Sequence, residues 1–137
     1  MIPTAFAIIA LKQFSACIPS ETANQRIRTG VEMLIDRACV GGGWNARNSV
    51  VYGMALSPHV EATAVALMAL QDEPRTPLTT QSVEWLRAQT ASLQTVSSMG
   101  WSILSLFLFG APVEDLKSRL AARVTDPRSI VTTPPSR

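Results

Sequence analysis

Three stretches of this chain are apolar on every side of a helix, three others carry a single apolar stripe, and the two kinds alternate. The first, Thr4 to Ala16, contains the run Ala5-Phe6-Ala7-Ile8-Ile9-Ala10-Leu11. The third, Val60 to Gln71, and the fifth, Met99 to Phe109, are built the same way. Between them lie segments with helical apolar spacing. Glu21 to Cys39 carries Ile27, Val31, Leu34, Ile35 and Ala38. Thr79 to Ser92 carries Val83, Trp85 and Leu86, and Val113 to Val124 carries Val113, Leu116, Leu120 and Val124. A helix that is apolar all round has to be covered on every side, whereas a striped helix needs one covered face. Stacked hairpins satisfy both if one helix of each pair lies in an inner layer and its partner in an outer layer. The pattern predicts an all-α fold: helix-hairpin repeats in two layers, with segments one, three and five shielded by two, four and six.

The breaks agree with this division. Pro3 suits a first helical turn, and Pro19 ends the first segment, leaving Ser20 to cap the second. Gly41-Gly42-Gly43 stops the second segment. Pro58 precedes the third, Pro74 and Pro77 follow it, and Gly110 with Pro112 separates the last two. Residues 1–124 form the expected repeat domain. Residues 125–137, with Pro127, Pro134 and Pro135, are expected to be a disordered tail.

Repetition within the chain strengthens the hairpin reading. Thr4 to Leu11 matches Thr63 to Leu70, 59 residues further on. Val31-Glu32-Met33-Leu34 matches Val83-Glu84-Trp85-Leu86, and Gly43-Trp44 matches Gly100-Trp101, all in the same order.

These residues resemble a known repeat. Gly30 to Arg37 followed by Gly42-Gly43-Trp44-Asn45 is similar to the Gln-Trp-type repeat of squalene cyclases, as is Val83 to Gln89 ahead of Gly100-Trp101. Pro58 to Leu70 resembles that family's entry into an inner helix. The chain departs from the pattern where Arg37 or Ala38 stands for the Gln, and where a longer, Ser-rich connection precedes Gly100. The resemblance, which extends to protein prenyltransferases, implies a partial α/α toroid in which six helices make half a ring. It also implies an apolar, isoprenoid-type ligand at the inner helices. An incomplete ring is expected to self-associate, or to take a partner chain that completes it, because it bares apolar end helices. The rival reading is a non-catalytic helical scaffold whose end surfaces bind protein.

The family's chemistry does not come with the repeat. Cyclases protonate an alkene from an Asp-x-Asp-Asp motif, and no such run occurs here. Asp72-Glu73 and Glu114-Asp115 read as solvated or dipole-complementing charges at helix ends. Prenyltransferases hold zinc with Asp, Cys and His. Asp36, Cys39 and His59 are the only local candidates, at a spacing unlike the family's, so no metal is expected. Neither cysteine lies in a Cys-Gly-Glu-Gln thioester, and His59, the one histidine, has no nucleophile marked beside it. The triple glycine lacks the Lys-Ser/Thr of a phosphate loop. No cofactor is expected.

Trp44, Tyr52, Trp85 and Trp101 have two readings: walls of an apolar pocket whose ring faces stabilise cationic isoprenoid intermediates, or locks between hairpins. The connection from Asn45 to His59 is long, as functional loops are, and holds Asn45, Arg47, Asn48, Tyr52 and His59. The candidate ligand-binding set is Trp44, Asn45, Tyr52, His59 and Trp101.

Composition excludes several other classes. With 47% hydrophobic and 16% charged residues, the chain has material for a core. A net charge of +2 spread along the sequence makes no case for nucleic acid. The run Ile103 to Phe109 is too short to span a bilayer. The apolar start lacks a basic region and is interrupted at Lys12, unlike an export signal. Cys17 and Cys39 read as small core residues, which fits a cytoplasmic setting.

Overall fold

The computed structural model describes residues 1–46, 50, 51 and 54–125. Six α-helices run through them: α1 (Ile2–Cys17), α2 (Glu21–Asp36), α3 (Val60–Ala69), α4 (Pro77–Gln89), α5 (Val96–Leu108) and α6 (Glu114–Thr125). A two-residue antiparallel ladder, β1 (Val50–Val51) on β2 (Met54–Ala55), lies in the connection between α2 and α3. The fold is all-helical, as the alternating pattern predicts. Of the expected tail, Thr125 is the last residue of α6, and 126–137 lie outside the described residues.

Local chemistry sets the helix boundaries. The Ser20 hydroxyl accepts from the Ala23 N–H at 3.2 Å and caps α2. α4 begins before the expected Thr79, because Thr76 and Thr79 form a reciprocal capping box around Pro77 in the first turn. α5 likewise begins before Met99, because Thr95 caps it by accepting from the Ser98 N–H. α2 stops at Asp36, short of the expected Cys39. From there the chain turns, with Gly42 N–H donating to the Cys39 carbonyl at 3.0 Å and Cys39 N–H to the Gly43 carbonyl at 2.9 Å.

The helices form two layers. α3 packs against α1 on one side and α5 on the other, while α2 backs α1, α4 backs α3 and α6 backs α5. The inner row α1–α3–α5 is parallel. Ile2, Val60 and Ser98, in the first turns of the three helices, line one cleft, whereas Lys12, far along α1, donates to the carbonyl of Ala69 at the end of α3. At the last hairpin, Arg119 of α6 donates to the carbonyls of Thr90 (2.7 Å) and Leu93 (2.9 Å), holding α6 to the turn that leads into α5.

The expected shielding of all three inner helices is met fully only by α3. Ala62, Ala64, Val65, Ala66, Leu67 and Ala69 are all buried. On α1, Ala5 and Ile8 are buried, but Phe6 is 41% and Phe14 47% exposed. On α5, Met99 and Leu106 are buried, but Leu104 is 50% and Phe107 69% exposed. The reason is position: α3 has an inner helix on both sides, and α1 and α5 end the row. Cys39 is buried as expected, whereas Cys17 is exposed at the last turn of α1.

Asp72 and Glu73 do not complement a dipole. They follow the C-terminus of α3, where negative charge is unfavourable. Lys12 offsets them: its Nζ donates to the Ala69 carbonyl at 2.9 Å and Glu73 Oε1 at 2.8 Å, and pairs with Asp72. One cation thus satisfies an open helix end and neutralises two carboxylates while most of its side chain is shielded from water. Lys12→Met keeps the stem and removes the charge. It is expected to lower the unfolding free energy by about 1–2 kcal/mol, the partial exposure of the acids being discounted. Urea unfolding at low and high salt checks this, since the wild-type advantage should shrink with salt.

Candidate functional site

The Gly-Gly-Trp segment after α2 is bonded to several other parts of the chain. Gly43 N–H donates to Ser82 Oγ on α4 at 2.8 Å, and that hydroxyl donates to the Leu78 carbonyl at 2.7 Å. Trp44 N–H donates to Thr63 Oγ1 on α3 at 2.9 Å, and the indole Nε1–H donates to the Leu34 carbonyl on α2 at 2.7 Å. The Trp44 carbonyl accepts from His59 N–H at 2.8 Å and from the Thr63 hydroxyl. Asn45 Nδ2 donates to the Ser57 carbonyl at 2.7 Å, closing the base of the long connection. Gly43 and Trp44 thereby tie α2, α3 and α4 together, and the Trp44 ring is 0% exposed. Its position is that of a lock between hairpins, with its ring enclosed by protein.

Trp101 does not repeat this geometry. Gly100-Trp101 lies within α5, not in a turn ahead of an inner helix. The match to Gly43-Trp44 is therefore one of sequence only, because the Thr95 cap begins the helix upstream of Gly100. Trp101 is half-buried and meets Phe6 of α1 edge to face, with centroids 5.7 Å apart and planes at 66°. The other two sequence matches do correspond in place: Leu34 and Leu86 are both fully buried on outer helices, and Ile8 and Leu67 both on inner ones.

The candidate set therefore divides. Trp44, Asn45 and His59 are neighbours around one backbone knot. Trp101 belongs with Phe6 at the surface of the inner row. Tyr52 lies outside the described residues, as do Arg47 and Asn48. His59 is exposed at the N-cap of α3 without a side-chain capping bond, and it borders a cleft of about 400 Å³ with Ile2, Ala46, Val60, Glu61, Ala62 and Ser98. Inside the cleft Glu61 Oε1 accepts from the hydroxyls of Ser97 (2.8 Å) and Ser98 (3.2 Å), a tie between the first turns of α3 and α5.

Sequence reasoning did not single out Phe6, Phe14, Leu104 or Phe107. They lie on the end helices that an incomplete ring is expected to bare, but which side chains of those helices face out cannot be read from segments that are apolar all round. Among the described residues no three His, Cys, Asp or Glu side chains converge as a metal would require, so Asp36, Cys39 and His59 form no such group. Burial raises the Cys39 thiol above its ordinary pKa, against a smaller opposing effect from a backbone hydrogen bond at Asn45, and a neutral thiol is a poor nucleophile. No helix among the described residues is long and apolar enough to cross a membrane. Comparison with protein-family models, curated proteins and solved structures finds no match to this chain.

Proposed function

We propose that this chain is a helix-hairpin repeat domain of the squalene cyclase and protein prenyltransferase type, half of an α/α toroid, which holds an apolar, isoprenoid-type ligand against its inner helices. The Phe6–Trp101 pair carries the reading. It joins the two helices that flank α3 and leaves aromatic surface open on the inner row. Leu104 and Leu108 follow Trp101 at helical spacing on α5, and Ala10 and Phe14 follow Phe6 on α1; all four are exposed. Such a surface gains about 0.8 kcal/mol for each methylene it covers, and its ring faces suit an electron-poor or cationic isoprenoid. Parallel inner helices backed by outer ones, and a Gly-Trp turn leading toward α3, support the same family. Any catalysis would need residues from another chain, since this sequence has no Asp-x-Asp-Asp run.

Organic extraction of the purified protein followed by mass spectrometry is expected to yield a polyprenyl or triterpenoid species. Added farnesol is expected to shift the tryptophan emission, and Trp101→Phe to remove most of that shift, because Trp44 is enclosed and Trp85 lies on the outer helix α4. A clean extract together with emission that farnesol does not alter would end this reading and leave the protein-binding scaffold in its place.

A further inference from the structure

The cleft of about 400 Å³ at the first turns of α1, α3 and α5 holds a carboxylate with bonding capacity to spare. Glu61 lies in the first turn of α3, where its charge offsets the helix N-terminus. Its Oε1 accepts from the Ser97 and Ser98 hydroxyls of α5 at 2.8 and 3.2 Å. Among the described residues nothing bonds to Oε2, and no lysine or arginine pairs with the carboxylate. Apolar Ile2, Val60 and Ala62 line the same cleft, with His59.

A second observation lies on α5. Ser98, Ser102 and Ser105 stand at i, i+4 and i+7 and so share a face. Ser98 opens that face on the cleft and meets α3 there through Glu61. One turn further along, Ser102 is 0% exposed and its Oγ has no hydrogen-bond partner among the described residues; the same holds for Ser105. Buried hydroxyls are ordinarily paired, so the polar groups leading in from the cleft are short of partners. The aromatic pair begins at the same level. Phe6 follows Ile2 by four residues on α1, Trp101 follows Ser98 by three on α5, and the two rings meet. The cleft is thus a polar end to the apolar inner row.

The chemistry of that end selects among head groups. Helix N-termini attract a phosphate, but Glu61 already stands there as the anion, and its charge repels a second one. An ammonium would face the positive ends of the helices. A hydrocarbon end would displace water from Oε2 and return no bond. A hydroxyl donates to Oε2, and its oxygen accepts from a ring N–H of His59. We infer that the cleft binds the hydroxyl head of an isoprenoid alcohol, held by Glu61, with the chain running over Phe6 and Trp101. This rests on the isoprenoid reading of the inner row and adds the class of head group.

Titration of the tryptophan emission with farnesol, its methyl ether, farnesylamine and farnesyl diphosphate tests this, with Trp101 as the near reporter. Farnesol is expected to bind about tenfold more tightly than the ether or the diphosphate, and the amine no more tightly than farnesol. Glu61→Gln keeps an acceptor for the serine hydroxyls and removes the charge. It is expected to bring the diphosphate within about threefold of farnesol, with circular dichroism verifying the fold. The wild-type comparison needs no variant, so it decides even if Glu61→Gln unfolds. Equal binding of farnesol and its ether, or tighter binding of the amine or the diphosphate, overturns this inference and leaves the isoprenoid surface standing. So does a folded Glu61→Gln protein with the wild-type order of affinities. Emission that none of the four compounds alters overturns both readings together.

Discussion

Trp44→Ala is expected to lower the unfolding free energy by about 4 kcal/mol, a large share of the 5–15 kcal/mol that holds a typical domain together. The ring is wholly enclosed, so its removal leaves a cavity at the junction of α2, α3 and α4. It also removes the indole Nε1–H bond to the Leu34 carbonyl at 2.7 Å, leaving that carbonyl only its bond from the Arg37 N–H at 3.2 Å. Thermal melting followed by circular dichroism should show a fall of roughly 15 °C. Trp44→Phe separates the two contributions. It refills most of the space and removes only the indole bond to Leu34, for a loss of about 1–2 kcal/mol. If Trp44→Ala costs less than Trp44→Phe, the ring is not the lock described here.

Gly43→Ala is expected to cost about 3 kcal/mol or more, although it adds a single methyl group. Gly43 has φ +81°, a left-handed conformation that costs an L-residue about 1–2 kcal/mol. A Cβ there would stand 2.7 Å from Pro58 Cβ and 3.0 Å from Thr63 Oγ1, the hydroxyl that accepts from Trp44 N–H. Relieving that contact pushes apart the segments the knot joins. Gly41→Ala is the control: φ is +85°, but no atom lies within 4 Å of the added carbon. It should lose only the backbone contribution, about 1 kcal/mol. Urea denaturation of both variants checks the difference, and equal losses would remove the steric argument.

The helical plan was legible because it rests on local signals. Apolar periodicity, Pro19-Ser20, the triple glycine and Pro112 marked six segments within a few residues of their ends. The early starts of α4 and α5 were missed because Thr76 and Thr95 act as caps through bonds to residues three further on, which periodicity does not register. The site was far less legible. Trp44 and Trp101 each complete a Gly-Trp dipeptide, yet one is buried in a turn and the other half-open on a helix. The difference comes from which helices surround each ring, and no local rule carries that.

Sequence alone determined that this protein is helical, that its helices come in hairpins, and that segments one, three and five demand more cover than the striped segments between them. Tertiary structure alone decided that α1 and α5 cover α3 from either side while each keeps one flank uncovered. It also decided that Lys12 closes the far end of α3 and that the backbone N–H groups of Gly43 and Trp44 tie the turn after α2 to α4 and α3. Burial demand is a property of each segment by itself. Which neighbour meets that demand depends on how the whole row is ordered in space.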